Sequence, residues 1–262
     1  MSIVTLENEL IHYEVLGRGR PLIFLHGWVG SWRYWIPTMQ VLSISYRSYA
    51  MDFWGFGDTP NRPEKYSIDQ QARLLSAFME EMGIGKVVLV GHGLGALVGL
   101  NFTRIYPDLV DRLVLTCLPL EKSLVNPRLP DDPMATLMEW LLGKNPAAET
   151  ARLEAPKADV EAIRISLDSM EMISWFSVIM ELKTPCLFVQ GLLDPVITLP
   201  PDELISQFPE TTHTILFELS GHFPMLDEAA KYNRLLVDFL ALPSGDSPRK
   251  LQLKEEWKRR IR

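Results

Sequence analysis

The chain has 262 residues, 47% of them hydrophobic and 23% charged, which is enough to bury a full core and excludes a disordered or collagen-like polymer. Its net charge of -7 is unevenly placed: residues 242–262 carry seven Lys and Arg against three Asp and Glu, a balance of +4 that leaves -11 on the rest and argues against nucleic acid as a partner. No stretch reaches the roughly 18 to 20 unbroken apolar residues of a membrane span, and the first ten residues read as a charged strand instead of a signal peptide, so the expectation is no stable membrane insertion and a cytoplasmic location.

Two short strands near 3–6 and 11–16 read as an antiparallel pair. Apolar runs then recur at 22–25, 48–51, 87–90, 113–117, 186–189 and 214–219, each followed by turn residues and several separated by segments of helical spacing. That rhythm predicts an α/β protein, with a mostly parallel eight-stranded sheet flanked by helices. Between the fifth and sixth runs, apolar residues at 94, 97, 98, 102 and 105 form a helix stripe that Pro107 ends.

Residues 119–183 interrupt the alternation with proline-rich turns and short amphipathic segments, notably 135–142 and 160–182. They read as a helical cap inserted into a core made of 1–118 and 184–242. Met138, Trp140, Trp175 and Phe176 of this segment are soft or aromatic. Such side chains suit an adaptable apolar cavity for a small molecule, and equally the packing of the cap onto the body. Residues 243–262 form a basic tail: Ser244, Gly245 and Pro248 as linker, then Leu253, Trp257 and Ile261 at four-residue spacing, a short amphipathic helix docked on the acidic body.

Glycine-punctuated turns follow the parallel strands at the end where ligands of open sheets bind. In chain order they are His26-Gly27-Trp28, Asp52-Phe53-Trp54-Gly55-Phe56-Gly57-Asp58, Gly91-His92-Gly93-Leu94-Gly95, Gly191-Leu192-Leu193-Asp194 and Gly221-His222-Phe223-Pro224. Each alone is a weak turn signal. Together and in this order they resemble the α/β-hydrolase family over about residues 3–240. The resemblance implies Asp194 as the acid, His222 as the base, the N–H groups of Trp28 and Leu94 as oxyanion-hole donors, and Phe223 among the residues around the substrate. The family's elbow reads Gly-x-Ser-x-Gly, whereas here Gly93 occupies the nucleophile position without a side chain. Loss of the serine from a comparable triad costs about 10⁶-fold in turnover, or roughly 8 kcal/mol of barrier.

Substitutes for the missing nucleophile are few. Cys117 ends the sixth run, where a thiolate would be a good nucleophile and a buried thiol inert packing. Ser31 is the weaker candidate. Cys186 begins the next run, at the opposite end of the sheet, so no disulfide is expected. A His222–Asp194 pair can serve as a general-base dyad on its own, activating water or taking a proton from an acidic substrate, or can persist as a well-packed relic. His26 and His92 read as structural hydrogen-bonding residues, His12 and His213 as strand residues away from the cleft; no metal cluster and no cofactor are expected. Three functional readings stay open. The first is an enzyme of hydrolase ancestry for a small apolar ester, lactone or ketone, and the second a non-catalytic ligand-binding pseudo-hydrolase. The third is an ordinary serine hydrolase inactivated by glycine at position 93.

Overall fold

The computed structural model describes residues 2–143, 145–243 and 246–251. Its centre is one eight-stranded sheet: β1 (Ser2–Leu6), β2 (Glu9–Leu16), β3 (Arg20–Leu25), β4 (Tyr46–Met51), β5 (Val87–His92), β6 (Val110–Thr116), β7 (Cys186–Gly191) and β8 (Thr212–Phe217). The spatial order is β1-β2-β4-β3-β5-β6-β7-β8. β1 pairs antiparallel with β2, and β2 with β4; every later pairing is parallel. Glu7 and Asn8, both at positive φ, make the tight turn of the first hairpin. All six residues of β5 are buried, as they are in β7, because helices cover both faces of the sheet.

Before the insertion the helices are α1 (Ile36–Leu42), α2 (Ile68–Glu81) and α3 (Leu94–Ile105). In α2, Ser67 caps the start by accepting from the Gln70 N–H, and Ile68, Ala72, Leu75 and Phe78 supply the buried stripe. α3 is buried at every position from Leu94 to Thr103. It can lie this close to the sheet because Gly95 has no side chain: a Cβ there would sit 2.3 Å from the Leu25 carbonyl oxygen.

The insertion between β6 and β7 is helical, comprising α4 (Arg128–Asp131), α5 (Met134–Leu142), α6 (Glu149–Glu154), α7 (Val160–Ser169) and α8 (Trp175–Met180). The single helix expected over 160–182 is thus two. Ile173 is extended at φ -136°, and Ser174 starts a new helix by accepting from the Ser177 N–H. The final strand also lies two residues earlier than the apolar run at 214–219, whose last residue, Leu219, is exposed in the following turn. α9 (Asp202–Ile205), α10 (Pro224–Asp227) and α11 (Ala229–Leu240) complete the core. Arg112, buried on β6, donates to the carbonyls of Phe239, Leu242 and Pro243 and so holds the chain as it leaves α11. The amphipathic helix expected around Leu253, Trp257 and Ile261 lies outside the described residues. Among the described residues, no helix is long and apolar enough to cross a membrane.

Candidate active site

The carboxyl ends of β3, β5, β6 and β7 and the turn after β8 bring the candidate residues to one edge of the sheet. β5 ends at His92, and α3 starts at Leu94, so Gly93 alone makes the reversal, at φ 51° and ψ -110°. A residue with a side chain pays strain in that conformation, and glycine does not. The Gly93 N–H is tied to the Thr116 carbonyl and the Gly95 N–H to the His26 carbonyl. Among the described residues, the N–H groups of Trp28 and Leu94 form no hydrogen bond, which leaves two donors free beside position 93.

The turn after β7 delivers Asp194 and the turn after β8 delivers His222. Asp194 Oδ2 lies 2.9 Å from His222 Nδ1 and also accepts from Gln190 Nε2, while Oδ1 accepts from the N–H groups of Val196 and Ile197. Burial by itself would raise the Asp194 carboxyl; the His222 ring and these N–H donors hold it below the usual carboxylate range. The acceptor at Nδ1 fixes the ring with its proton there and leaves Nε2 as the basic nitrogen. His222 is 97% buried, its ring against those of His92 and Phe223 at 4.6 and 5.3 Å.

His92 and Cys117 both hydrogen-bond to the backbone carbonyl of His222. His92 Nε2 donates to the His222 carbonyl over 2.8 Å, and Cys117 Sγ donates to the same oxygen. On its other side, His92 Nδ1 accepts from the Tyr34 hydroxyl, whose oxygen accepts the Gly27 N–H over 2.6 Å. A relay therefore runs from the turn before Trp28, through Tyr34 and His92, to the loop carrying His222. Burial and the neighbouring His222 ring keep His92 neutral, well below the usual histidine range. His92, Cys117 and His222 place their donor atoms within 4.8 Å of one another, a grouping that sequence spacing did not predict. Both His92 nitrogens are committed to hydrogen bonds, so it has no lone pair to offer a metal without breaking the relay.

The substitutes for the nucleophile are occupied. Burial, followed by the Asp194 charge, pushes the Cys117 thiol well above its usual range, which disfavours the thiolate. Its backbone sits at φ 50°. Ser31 caps the 3₁₀ turn Trp32–Trp35 and donates to Glu154 of α6. His26 accepts the Phe53 N–H at Nε2 and donates from Nδ1 to the Gly27 carbonyl, a structural histidine at its turn. The two cysteines are free and buried. Cys186 pairs with Leu113 across the sheet, four residues from Cys117 along the strand direction.

The aromatic candidates divide among different surroundings. Phe223 is buried at the dyad, edge-on to Tyr34 and tilted against His92. Trp175 and Phe176 line an open cavity of about 440 Å³ whose wall is as polar as it is apolar, with Glu121, Lys122 and Glu171 among its residues and neither His222 nor Asp194. Met138 and Trp140 are half-buried on α5, with the Arg128 guanidinium stacked 4.2 Å above the Trp140 ring. Three contacts between insertion and core had no motif to announce them. Trp28 Nε1 donates to Ser166 of α7, Arg33 pairs with Glu154 of α6, and Asn145 donates to Asp227 beside the His222 loop. Trp28 itself is fully buried and lies across Gly93, two of its ring carbons 3.1 Å from where a Cβ would be.

A parallel sheet with an antiparallel start, an acid after β7, a histidine after β8 and a sharp turn from β5 into α3 define the α/β-hydrolase fold. The family model for that fold matches residues 20–173, more than half of the chain, and the chain belongs to this family. It is similar to a putative carbamate hydrolase, RutD, of Stutzerimonas stutzeri (strain A1501), with 24% identity covering 90% of this chain and 98% of the relative. Among solved structures, a hydrolase from Pseudomonas aeruginosa PA01 superimposes with a TM-score of 0.81 at 16% identity, over 92% of this chain and 98% of that one. The enol-lactonase from Burkholderia xenovorans LB400 does so with a TM-score of 0.79 at 17% identity, over 92% of this chain and 100% of that one.

Proposed function

We propose that this chain is an enzyme of hydrolase ancestry that acts, without a covalent intermediate and without a cofactor, on a small, largely apolar ester, lactone or enolisable ketone held beneath the helical insertion, which serves as its cap. The observation that carries this reading is the 2.9 Å contact between His222 Nδ1 and Asp194 beside a side-chain-free elbow flanked by two unbonded N–H groups. In this reading a water molecule is held beside the elbow within reach of His222 Nε2. His222 Nε2 accepts its proton as the oxygen attacks the acyl carbon, Asp194 stabilises the imidazolium, and the Trp28 and Leu94 N–H groups bind the oxyanion. The proton then passes from Nε2 to the leaving oxygen. With an enolisable ketone, the same nitrogen takes the α-proton and the same N–H groups bind the enolate.

The test is a screen of simple esters, lactones and enolisable ketones, followed by His222→Ala. Turnover that survives this substitution undiminished eliminates the dyad mechanism. A second reading, ligand binding without turnover, is favoured by the Trp28 ring lying across Gly93 and by the burial of His222. It predicts saturable binding of an apolar molecule and no product from any compound in the screen.

A further inference from the structure

β7 closes on Gln190 and Gly191, and the Gln190 side chain is fully buried. Its Nε2 donates to Asp194 Oδ2 over 3.2 Å and to the Ile197 carbonyl over 3.1 Å. Both neighbours are acceptors, so the amide has one workable orientation; reversing it would set Oε1 against a carboxylate and a carbonyl. In that orientation Oε1 is buried and without a hydrogen-bond partner. A stranded acceptor costs stability that an apolar side chain at this position would not lose, so the amide's contribution lies in what Nε2 holds. Four donors converge on the Asp194 carboxylate: the Val196 and Ile197 N–H groups on Oδ1, and Gln190 Nε2 and His222 Nδ1 on Oδ2. A carboxylate has about four acceptor sites, so its capacity is filled. Gln190 takes one direction at Oδ2 and leaves the other to the imidazole. Asn126, at the entry to the insertion, braces the same turn without touching the carboxylate: its N–H donates to the Val196 carbonyl and its Nδ2 to that of Pro195.

We infer that Gln190 is a positioning residue of the dyad: its bond to Oδ2 holds the Asp194 carboxylate in the plane, and with the acceptor direction, that meets His222 Nδ1. The inference rests on the reading of His222 and Asp194 as a working pair and assigns the group that aligns them. Gln190 acts through Asp194 and touches no reacting atom. Its effect is greatest when Nε2 takes up a proton, because an acceptor already fixed in place stabilises the imidazolium without reorganising. A carboxylate that had to turn toward the ring at that moment would give up donors to do so.

The test compares Gln190→Met, which keeps the length and drops the donor, with Asn126→Ala, which loosens the same turn and leaves all four donors on the carboxylate. The first readout is the Nδ1-bound proton of His222, followed by NMR and assigned by its loss in His222→Ala. Its exchange with water is expected to be about tenfold faster in Gln190→Met and unchanged in Asn126→Ala. The second is the rate of fluorophosphonate labelling in a Gly93→Ser background. Gln190→Met is expected to slow it about ten- to a hundredfold, the scale of a misplaced reacting group, and Asn126→Ala by less than about twofold. If Gln190→Met does not fold, Gln190→Glu takes its place; its carboxyl must share a proton with Asp194 and is expected to slow labelling at least as much. Exchange and labelling at the parent rates in a folded Gln190 variant overturn the positioning role. Equal slowing by Asn126→Ala overturns it too, since Gln190 would then be one brace of the turn among others. If Gly93→Ser is itself not labelled, the dyad reading falls, and proton exchange alone decides whether Gln190 fixes the pair.

Discussion

Restoring a hydroxyl at the elbow, Gly93→Ser, perturbs the site at its most constrained point. The backbone there stands at φ 51° and ψ -110°, a region that costs a side-chain-bearing residue on the order of 1 to 3 kcal/mol. The new Cβ would lie 3.1 Å from two carbons of the Trp28 ring, inside the roughly 3.5 to 4.0 Å of an optimal carbon contact. The ring must therefore give by a few tenths of an ångström while its Nε1 remains bound to Ser166. Together these effects predict a loss of about 2 kcal/mol, which for a chain of this size lowers Tm by roughly 4 to 8 °C. Thermal denaturation of the two proteins measures it. The second half of the assay is a fluorophosphonate probe followed by peptide mapping. If the surrounding machinery is intact, the serine variant is labelled at position 93, and only when His222 is present. An unchanged Tm would refute the strain argument. An unlabelled but folded serine variant would refute the claim that only the nucleophile is missing, and would favour a binding protein.

Three other outcomes follow from the geometry. Tyr34→Phe leaves the Gly27 N–H and His92 Nδ1 without partners in a buried place and should cost about 2 to 4 kcal/mol in urea denaturation; a cost under about 0.5 kcal/mol would mean the relay is not bonded as described. Ser166→Ala strands Trp28 Nε1 and should cost about 1 to 2 kcal/mol, whereas Ser166→Thr, which keeps the hydroxyl, should recover most of it. The third concerns Asp52 and His26, buried neighbours 3.9 Å apart. Burial raises Asp52 to about 7, against its Trp32 and Asp58 N–H donors, and lowers His26 to about 4. Between about pH 4 and 6.5 the folded chain holds one extra proton on Asp52 and one fewer on His26 than the unfolded chain, so their slopes cancel. In Asp52→Asn only the histidine term remains. Because the unfolded histidine then binds the extra proton, stability relative to wild type should rise with pH across that window, by up to about 3 kcal/mol, and level off above it. A difference that stays flat with pH would show that His26 is not held neutral by the fold.

Much of the sheet was legible in the sequence because buried parallel strands are short unbroken apolar runs, and five of them end in glycine-punctuated turns. Where the reading slipped, the cause was local. Leu219 extends an apolar run into an exposed turn, and the spacing of apolar residues continues through Ile173 and Ser174, where a capping hydroxyl restarts the helix. The dyad pair was visible because Asp194 and His222 follow strand ends. Tyr34, Ser166, Asn145 and Asp227 were not, since each matters only through a partner far along the chain. Ser166 meets Trp28 across 138 residues and Asn145 meets Asp227 across 82, and no short motif records such a distance. The relay had one faint signal, a tyrosine between two tryptophans in a segment otherwise suited to burial.

The spacing between the donor turn and the imidazole of His222 is carried by Tyr34 and by the side chain of residue 92, the neighbour of the elbow's central position. Nothing in that bracing passes through the side chain of residue 93. A chain built this way can change what stands at its pivot while the strut from donor turn to imidazole keeps its length. The scaffold's shape and the scaffold's chemistry are thereby free to evolve on separate schedules.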